Sequence, residues 1–108
     1  MSLQENVKAN ILIVDDDILI AESIKVLIKK YGYNTAAITA NGFNAIKMAR
    51  EKSPDLILLD INLGGDIDGI TAAEEIQKFA DIPIIFLTAY SDSVTLDRAK
   101  NVGPFGYL

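Results

Sequence analysis

Ile11-Leu12-Ile13-Val14-Asp15-Asp16-Asp17 sets four consecutive apolar residues directly against three aspartates. The apolar run is too short for a helix, and its lack of polar alternation predicts a strand covered on both faces. Asp17 to Tyr31 then carries Ile20, Ile24, Leu27, Ile28 and Tyr31 at three- and four-residue spacings, with Lys29 and Lys30 in the last turn and Gly32 as a stop. That spacing predicts a helix with one apolar stripe.

The same unit recurs outward along the chain. Tyr33 to Thr39 reads as a weaker strand, and Asn41 to Lys52 as a helix turning Phe43, Ile46 and Ala49 inward until Ser53-Pro54 ends it. Leu56-Ile57-Leu58-Leu59 is the most apolar run and belongs at the sheet centre, and it too ends in an aspartate, Asp60. A Gly-rich loop from Leu63 to Gly69 leads to a third helix with Ile70, Ala73, Ile76 and Phe79 on one side. Ile82-Pro83 opens a strand, Ile84-Ile85-Phe86-Leu87, that ends at Thr88. Ser91 or Asp92 caps a fourth helix through Asn101, and Gly103-Pro104 turns the chain into Phe105-Gly106-Tyr107-Leu108. Strands alternating with helices in this way imply an α/β domain with a parallel sheet and right-handed crossovers.

Composition narrows the chemistry. The 108 residues suffice for one core, and half of them are apolar. Ten Lys and Arg against 15 Asp and Glu give a net charge of −5, so no direct nucleic-acid binding is expected. With no Cys and no His, disulfides, thiolate nucleophiles, imidazole bases and zinc sites built on these residues are excluded. No apolar run reaches the roughly 18 residues of a membrane span, and no signal-peptide pattern opens the chain. A cytoplasmic protein without a membrane role is expected.

In an open parallel sheet, ligands gather outside the carboxyl ends of the strands. Asp15 and Asp16, Asp60 and Thr88 all follow strand ends, so they should converge on one edge. Helix capping explains one such aspartate, but a cluster raises the cost of ionising all its members unless a cation neutralises it. All-oxygen ligands favour a hard ion, and Mg²⁺ with a phosphoryl group fits the set. A carboxylate can attack phosphorus to form an aspartyl phosphate, and the Thr88 hydroxyl could then donate to the new phosphoryl oxygens.

These residues resemble the receiver domain of two-component response regulators. The resemblance is carried by Ile11–Asp16, by Asp55-Leu56-Ile57-Leu58-Leu59-Asp60-Ile61-Asn62-Leu63, by Ile82-Pro83-Ile84-Ile85-Phe86-Leu87-Thr88-Ala89, and by Gly103–Leu108. It implies a flavodoxin-like doubly wound parallel sheet of strand order 2-1-3-4-5. Asp60 is then the phosphoacceptor, with Mg²⁺ held by Asp16, Asp60 and the backbone carbonyl of Asn62, and by Asp15 through a bound water. Thr88 becomes the switch hydroxyl and Tyr107 the aromatic switch. The implied partner is a histidine kinase or histidine phosphotransfer protein, which supplies a phosphohistidine in trans. The domain would not be an ordinary enzyme, since its phosphoryl transfer and dephosphorylation act only on itself.

Departures from the family pattern set further expectations. The family's Lys falls two positions beyond the residue matching Leu108, so residues 10–108 are expected to be a domain truncated at its C-terminal end and lacking the fifth helix. Residues 1–9 are expected to be disordered or a leader. Apolar surface left by the missing helix invites association, and a homodimer is among the expected assemblies. The spacing from Asp60 to Gly69 is one residue longer than is common, with Leu63-Gly64 where Met-Pro is frequent. Tyr90, two residues after Thr88, is hypothesised to shield an acyl phosphate from water. Three rival readings stand beside the receiver. One is a small phosphatase in which Asp15 attacks and Asp17 is the acid/base; another is a receiver-like scaffold that takes no phosphate. A flavodoxin-like cofactor binder is disfavoured, because aspartates in its phosphate cradle would repel the ligand.

Overall fold

The computed structural model describes residues 9–87 and 93–103, together with the backbone of Gly106 and Tyr107. The elements run β1 (Asn10–Val14), α1 (Ile18–Lys30), β2 (Asn34–Thr39), α2 (Gly42–Lys52), β3 (Leu56–Asp60), α3 (Gly69–Gln77), β4 (Ile84–Leu87), α4 (Ser93–Val102) and β5 (Gly106–Tyr107). The strands form one sheet in the order β2-β1-β3-β4-β5, as the family resemblance implies, and every pairing is parallel.

The first three helices each begin at a side chain suited to the task. Asp17 caps α1 by accepting from the Leu19 and Ile20 amides, Asn41 caps α2 through the Asn44 amide, and Asp68 caps α3 through the Thr71 amide. These contacts satisfy donors that a helix start leaves without partners. Gly32, at φ +91°, makes the left-handed turn between α1 and β2.

The sheet is covered on both sides, as the apolar runs of β1 and β3 require. On one face Leu12, Val14, Ile57, Leu59, Ile84 and Phe86 pack with residues of α2, α3 and α4. On the other, Ile11, Ile13 and Leu58 pack with Ala21 and Ile28 of α1.

Two predicted stripes are corrected. In α1 the buried residues are Ala21 and Ile28, with Ile24 packed beside them, whereas Ile20, Leu27 and Tyr31 are exposed. In α2 Ala49 is buried and Ile46 packs against the core as expected, but Ala45 is buried with them and Phe43 is 60% exposed. The reason is common to both: alanine lets helix and sheet backbones approach closely, and bulky side chains are left on the flanks. In the third helix Ile70, Ala73 and Ile76 are buried as expected, while Phe79 lies past the helix end and is partly buried. There it packs under the Arg50 guanidinium, 4.2 Å from the ring centre. The predicted caps of α4, Ser91 and Asp92, lie outside the described residues.

Candidate functional site

Two βα junctions build the site. β1 and β3 are adjacent and in register, with Val14 opposite Leu59, so both strands deliver their next side chains to the same sheet edge. Oxygens of Asp15, Asp16 and Asp60 all lie within 4.8 Å of one another, the one group of this kind among the described residues. Donors on opposite sides of a hard divalent ion stand roughly 4 to 5 Å apart, which this span accommodates. The donor set therefore fits Mg²⁺ in chemistry and in spread.

Local hydrogen bonds hold the Asp15 and Asp60 carboxylates. The Asp15 backbone amide donates to the Thr39 carbonyl at 3.0 Å, and its Oδ1 accepts from the Asp17 amide at 2.9 Å. Asp15 is only 4% exposed, whereas Asp16 faces solvent. Asp60 Oδ1 accepts from the Asn62 amide at 2.9 Å, which sets Asn62 directly against the carboxyl at the start of the β3–α3 loop. Asp60 stands opposite Leu87 in the β3–β4 register, so the end of β4 reaches the same edge.

Electrostatics separate Asp15 and Asp60 from ordinary acids. Burial, reinforced by the charges of Asp16 and Asp17, pushes the Asp15 carboxyl above its usual range despite the Asp17 amide. Burial raises Asp60 too, and the charges of Asp15 and Asp16 and a hydrogen bond to Asp15 add to it against the Asn62 amide. A cation would relieve what burial and mutual repulsion impose. We expect Mg²⁺ to raise the melting temperature at pH 7.5 and to lose this effect as the pH falls and the cluster takes up protons. Differential scanning fluorimetry against pH checks this, and an equal effect at pH 4 would contradict it.

The loop from Ile61 to Asp68 makes contacts beyond the acidic cluster that residue pattern alone did not disclose. Ile67 folds over the start of α2, where a Cβ on Gly42 would collide with Ile67 Cγ1 and stand 2.7 Å from its Cδ1. Gly64 lies beside Asp16, and a Cβ there would sit 3.7 Å from Asp16 Oδ2. Asp68 Oδ2 meets Arg98 Nη1 of α4 at 3.0 Å, tying α3 to α4. Burial works against the Asp68 anion, but the Thr71 amide and hydroxyl and the Arg98 guanidinium outweigh it and hold the carboxyl below its usual range. Asp68→Ala should cost about 1 kcal/mol at pH 7, almost all of it from the cap, because half-exposed ion pairs contribute little. Because the folded pKa is depressed, that contribution is full above the unfolded value near 3.8 and fades as pH falls through the folded one. Urea melts at pH 7 and pH 3 measure it.

Of the residues singled out from sequence, Asp15, Asp16 and Asp60 come together, with Asn62 beside Asp60. Thr88 and Tyr90 lie outside the described residues. Tyr107 pairs with Phe86 through its backbone in β5, and its side chain is outside the description. Asp17 serves as the α1 cap.

Comparison with known proteins gives one consistent family. The model of the response regulator receiver domain matches residues 11–108. The transcriptional regulatory protein ZraR of Klebsiella oxytoca is 38% identical over 102 residues, covering 94% of this chain and 23% of that protein. The DNA-binding response regulator MtrA of Mycobacterium bovis is 34% identical over 104 residues, covering 96% of this chain and 45% of that protein. The chain thus spans less than half the length of either relative. Among solved structures, the signal receiver domain of a modulated diguanylate cyclase from Desulfovibrio desulfuricans G20 superimposes with a TM-score of 0.90 at 37% identity, over 94% of this chain and 81% of that one.

Proposed function

Because the chain belongs to the receiver domains of two-component response regulators, we propose that Asp60 accepts a phosphoryl group from a phosphohistidine, with Mg²⁺ held at Asp15, Asp16, Asp60 and the Asn62 carbonyl. The reading rests above all on the meeting of Asp15, Asp16 and Asp60 from two separate junctions within 4.8 Å. Asp60 Oδ attacks phosphorus, the P–N bond to the donor imidazole breaks, and the electron pair leaves on that nitrogen. When bound, Mg²⁺ supplies the positive charge that lets two anions approach. The Asn62 amide fixes the attacking carboxyl, and the buried Asp15 anchors the cation side of the pocket.

The donor is a histidine kinase or histidine phosphotransfer protein, since the chain has no histidine of its own. The setting is cytoplasmic, in keeping with the absence, among the described residues, of any helix long and apolar enough to cross a membrane. Thr88 hydrogen-bonds the phosphoryl oxygens and Tyr107 follows it as the aromatic switch, with the Tyr90 ring slowing water attack. The phosphatase reading loses ground because Asp15 is buried against the Asp17 amide and Asp17 is committed to capping α1.

Titrating Mg²⁺ with beryllofluoride, a phosphoryl mimic, while following backbone amide shifts tests the reading. Saturable shifts at Asp16, Asp60 and Asn62 are expected, and a flat response at these positions to Mg²⁺ alone would overturn it.

A further inference from the structure

The outward side of α1 carries two bulky apolar residues where a helix lying on a sheet should be polar. Leu19 is 76% exposed and Val26 70% exposed. Each lies two positions before a buried residue, Ala21 and Ile28 respectively. At about 100° per residue they point about 160° away from the face that meets the sheet. An element packed alongside α1 would reach Ile20, Leu27 and Tyr31 first, so Leu19 and Val26 call for a partner that lies on top of the helix.

We propose that this ridge joins two copies of the chain through antiparallel packing of α1 on α1. Charge selects both the occupant and its direction. The helix starts beside Asp15, Asp16 and Asp17 and ends at Lys29 and Lys30. A parallel pair would set acid against acid and base against base, in a chain already at net charge −5. Antiparallel pairing about a two-fold axis between Glu22 and Ser23 seats Leu19 of each copy beside Val26 of the other, and sets Lys29 of each level with the exposed Asp16 of the other, with Lys30 one residue further on. Glu22 then faces its own counterpart near the axis, an unfavourable contact built into the same arrangement. The inference stands apart from the phosphoryl reading and is tested without metal or phosphate.

Sedimentation equilibrium of the chain in EDTA should show a monomer–dimer equilibrium that weakens as NaCl is raised. Leu19→Glu, an exposed substitution that leaves the core alone, should weaken the dimer at least about tenfold. Lys30→Glu should weaken it a few-fold, and Glu22→Gln should tighten it. The chain has no cysteine, so a single introduced thiol reports geometry cleanly. Under a mild oxidant Ser23→Cys should cross-link to its own copy across the axis. Leu19→Cys should not, because its counterpart lies about 10 Å away along the helices, beyond disulfide reach. A monomer at every concentration would overturn the proposal, as would a dimer indifferent to Leu19→Glu. Efficient cross-linking through Leu19→Cys instead of Ser23→Cys would do the same.

Discussion

Asp60→Asn should abolish uptake of a phosphoryl group from phosphoramidate and, at the same time, raise the melting temperature of the divalent-free chain. The two effects share one cause. The Asp60 carboxyl is partly buried beside Asp15 and Asp16, and its pKa is raised by that burial and by their charges. A carboxyl whose folded pKa exceeds its unfolded value near 3.8 destabilises the fold while ionised. That penalty is full above the folded pKa and disappears as the pH falls to the unfolded value, so the gain from Asp60→Asn should be largest near pH 7 and absent near pH 3. The amide keeps the shape and can still accept from the Asn62 N–H, so the substitution removes charge with little change in packing. Mg²⁺ affinity should fall more than about tenfold, since even the loss of an outer-sphere partner typically costs about 10- to 100-fold. Intact mass after phosphoramidate treatment, Mg²⁺ titration and thermal melts read the three effects. Continued gain of an HPO₃ unit by Asp60→Asn would assign the acceptor to another residue. An unchanged melting temperature would mean that the cluster is not electrostatically strained.

How much was visible beforehand depended on what each feature is made of. Strand runs ending in aspartate, Ile11 to Asp16 and Leu56 to Asp60, carried both the sheet and the acidic cluster, because apolar continuity and a polar terminus are local properties of the sequence. The faces of α1 and α2 were not legible in the same way. Apolar residues cover much of α1, from Leu19 and Val26 round to Ala21 and Ile28, so spacing alone admits several inward faces. Contact with the sheet chose the one bearing Ala21, where the backbones come closest. The roles of Ile67 over Gly42, and of Asp68 with Arg98, belong to neighbours brought together only by the fold. A capping signal at Asp68 was present in the sequence, as Asp followed by Gly at the start of an apolar helical pattern.

Gly69→Ala provides the sharpest test of how α3 and β3 depend on each other. Gly69 opens α3 and donates its amide to the Ile61 carbonyl at 3.0 Å. A Cβ at this position would run into the Asp60 carbonyl oxygen and stand 2.9 Å from both the Asp60 carbonyl carbon and Ile61 Cα. All three are backbone atoms of a central strand or its direct extension, and Ile61 is itself tied to the Leu87 carbonyl at 3.2 Å. No side chain can rotate away. In open space the exchange would favour the helix by up to about 1 kcal/mol, because alanine is the better helix former. The two contributions have opposite signs, so the direction of the measured change decides between them. Overpacking against a fixed backbone typically costs about 1–3 kcal/mol or more, and Gly69→Ala should therefore destabilise the chain by about that amount. If Asp60 shifts to make room, Mg²⁺ affinity drops with it, even though no ligand has been changed. Gly64→Ala is the matched comparison: its Cβ would make only an ordinary contact, 3.7 Å from Asp16 Oδ2, and both stability and Mg²⁺ binding should stay near those of the parent. Urea melts and Mg²⁺ titrations of the two variants measure the difference. A Gly69→Ala chain as stable as its parent would mean that α3 can move off β3 without cost, and that the helix does not hold the Asp60 backbone in place.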